Sequence, residues 1–448
     1  MSPVKELLAP TDARPQTAPD DIDALIEEAR RRARRRRLAY ATLVLALAAG
    51  AAAVATHRGG GGGRAGRGAD GRGAGRPATH ATELQQIERA AAHAPIVEAG
   101  LLGPRTGWAM NGLAAWLTLD GGAHWRTITP PHVSSMGDAV ARVIQIEFAD
   151  ARHGWISATD VRGETGSLRH GEIDRTMDGG RTWETVTSLS CALCAGAQLS
   201  FLDARRGFAL AGSYHRVRLY ETADGGVTWT RVATPPFSGG AIVFLNEDDG
   251  FGAMRNLYRT TDGGTRWRRV DLPVPARYAR KRMTVDLPTF FGARDGVSSA
   301  RVLDPSTKAQ HVVVYVTHDG GATWSARPAP AAADPRAYTF GFSGGTPFSA
   351  ATATDWKLFV GDTLYTTADA GAHWARIHVA DAPKPPAVWD VAFTSPSRGW
   401  AIFGVKTGAA LVQTSDGGRS WTPVPPPAMR VPSVLPARPA CGSACRRA

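Results

Sequence analysis

The chain has 448 residues and a formal charge of +12, yet its 21% charged content is ordinary for a globular protein. The basicity is local: residues 1–77 hold 14 Lys/Arg against 8 Asp/Glu, and Arg255–Arg282 holds nine basic residues against two acidic ones, leaving the rest near neutral. No Ser/His/Asp order, phosphate-binding glycine loop or His-rich metal spacing stands out, so no catalytic residue, metal or cofactor is assigned.

Residues 1–37 form a short basic segment in which Asp20 to Arg37 reads as a charged helix ending in seven arginines, Arg30–Arg32 and Arg34–Arg37. Residues 38–56 (LAYATLVLALAAGAAAVAT) carry no charge. As a helix they would reach about 28 Å, enough to cross a hydrocarbon core. Arginines on the N-terminal flank orient the N-terminus inward and the rest of the chain outward. The expectation is a single-pass transmembrane anchor in the cell membrane, with an extracytoplasmic domain behind it. A cleaved export signal is the alternative, because Ala53-Val54-Ala55 fits an A-x-A cleavage pattern and Arg36-Arg37-Leu38 resembles a twin-arginine signal. Either way the remainder of the chain is exported.

Residues 57–91 read as a linker that opens with Gly/Arg-rich sequence, His57–Pro77. Its arginines can pair with phosphate and stack on bases, but outside the membrane no nucleic acid is expected. A flexible spacer, averaging about 25 Å over that stretch, is the simpler reading, and its arginines are free to rest on anionic lipid or an anionic envelope polymer.

From residue 92 to 428 the chain writes Thr-x-Asp-(Gly/Ala)-Gly-x-x-Trp seven times. The acids are Asp120, Asp178, Asp224, Asp262, Asp319, Asp369 and Asp416, spaced 38 to 58 residues apart. The tryptophans are Trp125, Trp183, Trp229, Trp267, Trp324, Trp374 and Trp421. Around Asp262, Ala241–Asn246 reads as a first strand, Phe251 opens a second, Leu257–Thr260 is a third and Trp267–Asp271 a fourth. One such sheet cannot bury both faces alone, so successive copies must stack. The carboxylate suits an Asx-type turn, the second glycine supplies a positive φ, and the indole can seal the space between sheets.

These boxes resemble the Asp-box (BNR) repeats of sialidases, sortilin-type receptors, xyloglucanases and photosystem II assembly-factor-like propellers. The last group is the nearest in pattern, because it pairs a Gly-Trp-Ala strand with the box. Here Gly107-Trp108-Ala109, Gly154-Trp155, Gly207-Phe208-Ala209, Gly250-Phe251 and Gly399-Trp400-Ala401 fill that role; Gly296-Val297 is weaker and Asp355-Trp356 departs from it. The resemblance implies an all-β, seven-bladed propeller of four-stranded antiparallel blades in which the box is a folding element. The first blade is expected to begin near Pro95-Ile96-Val97, and either chain end is available to add an outer strand to a terminal blade. Residues 429–448 read as a Pro-rich tail.

Four cysteines agree with export. Cys191 and Cys194 form a C-x-x-C between boxes, and Cys441 and Cys445 a C-x-x-x-C in the tail. They are disulfide candidates with three possible connectivities.

In a propeller with boxes on one face, the turns between second and third strands and the links between blades emerge on the other. That topology sends Arg216, Arg255, Arg277, Tyr278, Arg280, Lys281 and Arg282 to the face opposite the boxes. The functional reading is a non-catalytic protein-binding or assembly scaffold, its basic face recognising an acidic partner associated with the membrane or cell envelope, with Tyr278 as an aromatic anchor. The resemblance to assembly factors implies the same use of an arginine-rich patch. The alternative is an exported glycan-binding protein or sialidase-like glycoside hydrolase. The sialidase Arg-Ile-Pro signature is absent, and the loop acids Asp160, Glu164, Glu172 and Asp304 show no paired spacing.

Overall fold

The computed structural model describes residues 96–426 except 132, 134–139, 163–166, 189–196, 214–215, 238, 280, 305–309, 331–344, 378–386 and 406–407. The expected span 38–56, the linker, the tail and all four cysteines lie outside the described residues. Among the described residues no helix is long and apolar enough to cross a membrane.

The described residues form seven antiparallel sheets, each with its strands in simple sequence order, and together they make the seven-bladed propeller. Blade one is Glu98–Leu101, Gly107–Met110, Ala115–Thr118 and Arg126–Thr127; blade seven is Ala387–Phe393, Gly399–Val405, Gly408–Thr414 and Thr422–Pro423. Blade five has its first strand divided into Arg282–Val285 and Thr289–Phe290, both paired to Gly296–Leu303. The segments before Pro95 and after Pro427, each expected to be available as an outer strand, lie outside the described residues. Blades seven and one meet directly: Ile96, Trp116, Trp400, Ile402 and Leu411 share one core between them. Ile96 N–H donates to Ala409 O at 3.0 Å, and the Trp125 and Trp400 rings lie 5.7 Å apart.

A volume rule links the first two strands of the blades. In five blades a phenylalanine on strand one lies directly across from a glycine on strand two: Phe148–Gly154, Phe201–Gly207, Phe244–Gly250, Phe290–Gly296 and Phe393–Gly399. A Cβ added at Gly207 would lie 2.4 Å from the Phe201 ring, so the glycine is a seat for the ring. Blade six inverts the pair, with Ala350 opposite Trp356. The sixth repeat therefore departs from the Gly-Trp-Ala pattern by reciprocal exchange of large and small. The residue after the glycine reaches the next blade: Trp155 stacks on Phe201 at 3.4 Å and Phe208 on Phe244 at 3.5 Å between centroids. In blade six this position is Lys357, whose Nζ lies 2.9 Å from Asp355 Oδ1 and 2.8 Å from Thr366 Oγ1 and sits over the Phe393 ring.

Polar side chains on strand one tie neighbouring blades together at the ring's inner edge. Leu199 N–H donates to Gln145 Oε1 at 2.7 Å and Phe201 N–H to Glu147 Oε1 at 2.8 Å. Phe244 N–H donates to Ser200 Oγ, and Phe393 N–H to Ser349 Oγ, both at 2.8 Å. Without these acceptors the buried edge amides would lose their solvation for nothing in return.

The boxes share one hydrogen-bond set. The threonine hydroxyl donates to the Asp Oδ1 and accepts the second glycine's N–H, as at Thr260, with distances of 2.9 and 2.8 Å. The N–H four residues after the acid donates back to it, as Arg266 N–H does to Asp262 Oδ1 at 2.9 Å. The threonine is thus the hub of the turn, a role the Asx reading did not assign. Both box positions after the acid take positive φ, not the second alone. At the first of these stands Ala370, the only non-glycine with positive φ among the described residues, at 57°. An L-residue there costs about 1–2 kcal/mol, and glycine's extra unfolded-state entropy offsets about 0.5–1 kcal/mol of the relief. Ala370→Gly should therefore raise stability by about 0.5 kcal/mol. A lower melting temperature would contradict that account.

The same bonds hold the box carboxyls below their usual range. At Asp120 the leading cause is the His124 N–H and at Asp224 the Thr228 hydroxyl, each bringing the carboxyl to about 2. Asp178, Asp319 and Asp369 are lowered as well, chiefly by hydrogen bonds from Thr182, Thr323 and His373. A folded value below the unfolded one of about 3.9 means the contribution is complete above that value and is lost as the acids protonate. Thermal melts should be flat from pH 7 to 5 and fall steeply between about pH 4 and 2. A flat profile through pH 3 would show that the boxes do not couple folding to protonation.

Candidate functional site

The boxes assign the two faces through a repeated contact. The N–H of the first residue after each acid donates to a carbonyl in the same blade's turn between strands one and two: Gly121 to Arg105, Gly225 to Arg205, Gly320 to Arg294 and Ala370 to Thr354 are examples. Turns between strands two and three, and the links between blades, therefore leave from the opposite face.

On that face blades four and five differ in height. The second strand of blade four is short, Asp249–Ala253, whereas Gly296–Leu303 and Gln310–Thr317 of blade five run on past it. The step leaves a cleft of about 620 Å³ whose lining includes Arg255, Lys281, Arg282 and Arg301, with Val274 and Met283 among its apolar members. Arg255 and Arg282 are both exposed. Lys281 is largely committed, its Nζ lying 2.8 Å from Asp304 Oδ2.

Tyr278 requires a correction. It lines the cleft wall but is only 7% exposed, within the core that holds Leu257, Val270 and Val302. The short 3-10 turn Ala276–Tyr278 folds its ring inward, where it stacks on His311 at 5.0 Å between centroids. It is a structural member of the wall and not an exposed anchor. Arg277 is exposed, with its guanidinium 4.8 Å from the Tyr278 ring centroid. Burial, then the positive charges of Lys281 and Arg277, lower the His311 pKa against the opposing pull of Asp304.

Arg280 lies outside the described residues. Arg216 opens the third strand of blade three, Arg216–Thr222, and its side chain lies outside the described residues. Arg259 leaves the cluster as well, paired to Asp249 at 3.2 Å, while Arg268 and Arg269 stand exposed on the outer strand of blade four. The sequence reading did not include Arg301, Met283 or Val274 in the site. Arg301 alternates inside a blade-five strand, and only the step between blades exposes that stretch.

A second cleft of about 710 Å³ lies on the box face between blades seven and one, with Arg105, Arg398, Trp400 and Asp120 in its lining. Asp120 is held by Thr118 and His124. Of the loop acids, Asp304 pairs with Lys281, Glu172 lies on a strand of blade two, and the side chains of Asp160 and Glu164 lie outside the described residues. Among the described residues no group of three or more His, Cys, Asp or Glu could hold a metal ion.

The family model described as BNR/Asp-box repeat matches residues 315–326, the fifth box. No curated protein matches the chain. Among solved structures it is similar to YCF48 bound to D1 peptide, at 18% identity over 64% of this chain and 82% of that one, with a TM-score of 0.40. It is similar to YCF48 from Cyanidioschyzon merolae at 17% identity over 67% and 88%, with a TM-score of 0.42. The GH74 xyloglucanase from Xanthomonas campestris matches at 14% identity over 71% and 62%, with a TM-score of 0.31. Likenesses at this level do not carry a binding partner or an activity to this chain. The chain is a seven-bladed propeller bearing the BNR/Asp-box repeat, with one box matched by the family model and the other six repeating its hydrogen bonds.

Proposed function

We propose that the chain is a non-catalytic binding scaffold whose cleft between blades four and five holds an acidic segment of a protein partner. The observation that carries this reading is the pair of exposed arginines, Arg255 and Arg282, set beside apolar lining in a recess. Guanidinium groups suit carboxylates through paired donors, and apolar lining such as Val274 and Met283 gives a bound segment something to bury. Glycoside hydrolysis needs two facing carboxylates. The described lining of this cleft contains none, and that of the second contains Asp120 alone, which favours binding over hydrolysis.

The proposal extends to place. The uncharged stretch 38–56 behind seven arginines supports a tether in the cell membrane with the propeller outside the cytoplasm. Protease added to intact cells should then degrade the propeller; protection of the propeller until lysis would refute that placement.

The binding reading is tested by titrating the full-length chain with a labelled peptide of alternating Glu and Val. Binding should weaken steeply with added salt, and it should be lost in Arg255→Glu/Arg282→Glu while the melting temperature stays unchanged. Equal affinity of the double variant and the parent would end the reading.

A further inference from the structure

The strand Arg282–Val285 is the terminal strand of the blade-five sheet and, among the described residues, pairs with one strand, Gly296–Leu303. Its register pairs Arg282 with Leu303, Met283 with Val302, Thr284 with Arg301 and Val285 with Ala300. In an antiparallel ladder the amides of alternate residues point to opposite sides. Val285 N–H points away from its ladder partner, because it donates to Met254 O of blade four at 2.8 Å. By the same alternation the N–H and C=O of Met283 also point to the open side, into the cleft, with no hydrogen-bond partner among the described residues.

The cleft therefore has a directional edge as well as charge. One backbone carbonyl from blade four already occupies the slot beside Val285, and the slot beside Met283 continues the same line. Exposed strand edges accept an added strand, main-chain bonds supplying affinity and alternate side chains supplying selection. Arg282 stands next to Met283 on this edge, and Arg255 faces it from the turn of blade four.

We propose that the partner segment binds as an extended strand added to the free edge of Arg282–Val285, hydrogen-bonding to the N–H and C=O of Met283, with acidic residues at alternate positions beside Arg282 and Arg255. This rests on the binding reading above and adds the binding mode. At about 3.3 Å per residue, a run of three or four residues spans this short edge.

The test uses the same Glu/Val peptide in three forms: unmodified, with the backbone nitrogens of every Val methylated, and with those of every Glu methylated. An added strand presents one parity of amides to the edge, so one methylated form should lose at least about tenfold in affinity while the other stays close to the parent. On the protein side, Met283→Pro removes the outward N–H at a position where the ladder does not use it. It should weaken binding at least about tenfold relative to Met283→Ala, which keeps the N–H and loses the same side chain. Equal binding of both methylated peptides, or equal binding by the Pro and Ala variants, overturns the strand-addition mode. If those results coincide with full loss in Arg255→Glu/Arg282→Glu, the acidic-segment reading stands and only the mode falls. If the unmodified peptide does not bind the parent chain, both fall.

Discussion

Replacing Trp356 with glycine should cost the propeller about 3–5 kcal/mol, and adding Ala350→Phe to the same chain should recover much of that loss. Trp356 is 1% exposed and lies across the ladder from Ala350. Its ring meets Phe348 at 5.9 Å and Trp374 at 6.4 Å, and its Nε1–H donates to Thr352 O at 3.2 Å. Removing it empties a space that the remaining side chains cannot close. In five other blades the equivalent space is filled from the opposite strand, by a phenylalanine seated on a glycine. The double variant rebuilds that arrangement. Recovery should be incomplete because phenyl is smaller than indole and the bond to Thr352 O is gone. Chemical denaturation of the two single variants and the double variant gives the coupling directly. If Ala350→Phe adds to the damage, the exchange of large and small across the ladder is not the rule that shapes blade six.

The second large effect is on binding. Reversing Arg255 and Arg282 to glutamate should weaken the acidic peptide by over about a hundredfold at low salt. Two attractions of up to about 1 kcal/mol each disappear and two repulsions of similar size replace them, together about 3 kcal/mol. The loss should shrink as salt rises, since both terms are screened over about 8–10 Å at physiological ionic strength. Both side chains are exposed, so the melting temperature should hold. Arg268→Glu with Arg269→Glu makes the same charge change on the outer strand of blade four, where both residues are exposed. That control should alter affinity by less than about threefold, because it lies outside the recess. A comparable loss in the control would mean that overall charge, and not the cleft, attracts the peptide. Lys281 is left in place because a glutamate there would face Asp304 and damage the fold.

Much of the molecule was legible in the chain because its defining bonds are local. The box closes through Thr-to-Asp and Gly-to-Thr contacts two and four residues apart, as at Thr260, Asp262 and Gly264. Strand order follows from the same repeat, and with it the face on which Arg255 and Arg282 emerge. The Phe-to-Gly interval of six residues is also in the chain, but only the ladder shows that its two members face each other and that Ala350 and Trp356 exchange their sizes. Ring closure was less legible, because the residues that join blades seven and one, such as Ile96 and Leu411, are far apart in the chain.

The sequence by itself determined seven sheets, their turns and the face on which the central basic run emerges, because hydrogen bonds within eight residues and a repeated apolar alternation set them. The tertiary structure alone decided which of those charges remain available. Burial drew Tyr278 into the core, Asp304 took up Lys281, and the difference in height between blades four and five opened a recess that added Arg301 and the free edge at Met283. Each of these depends on contacts between residues far apart in the chain, whose geometry is set by how neighbouring blades pack and not by any local pattern.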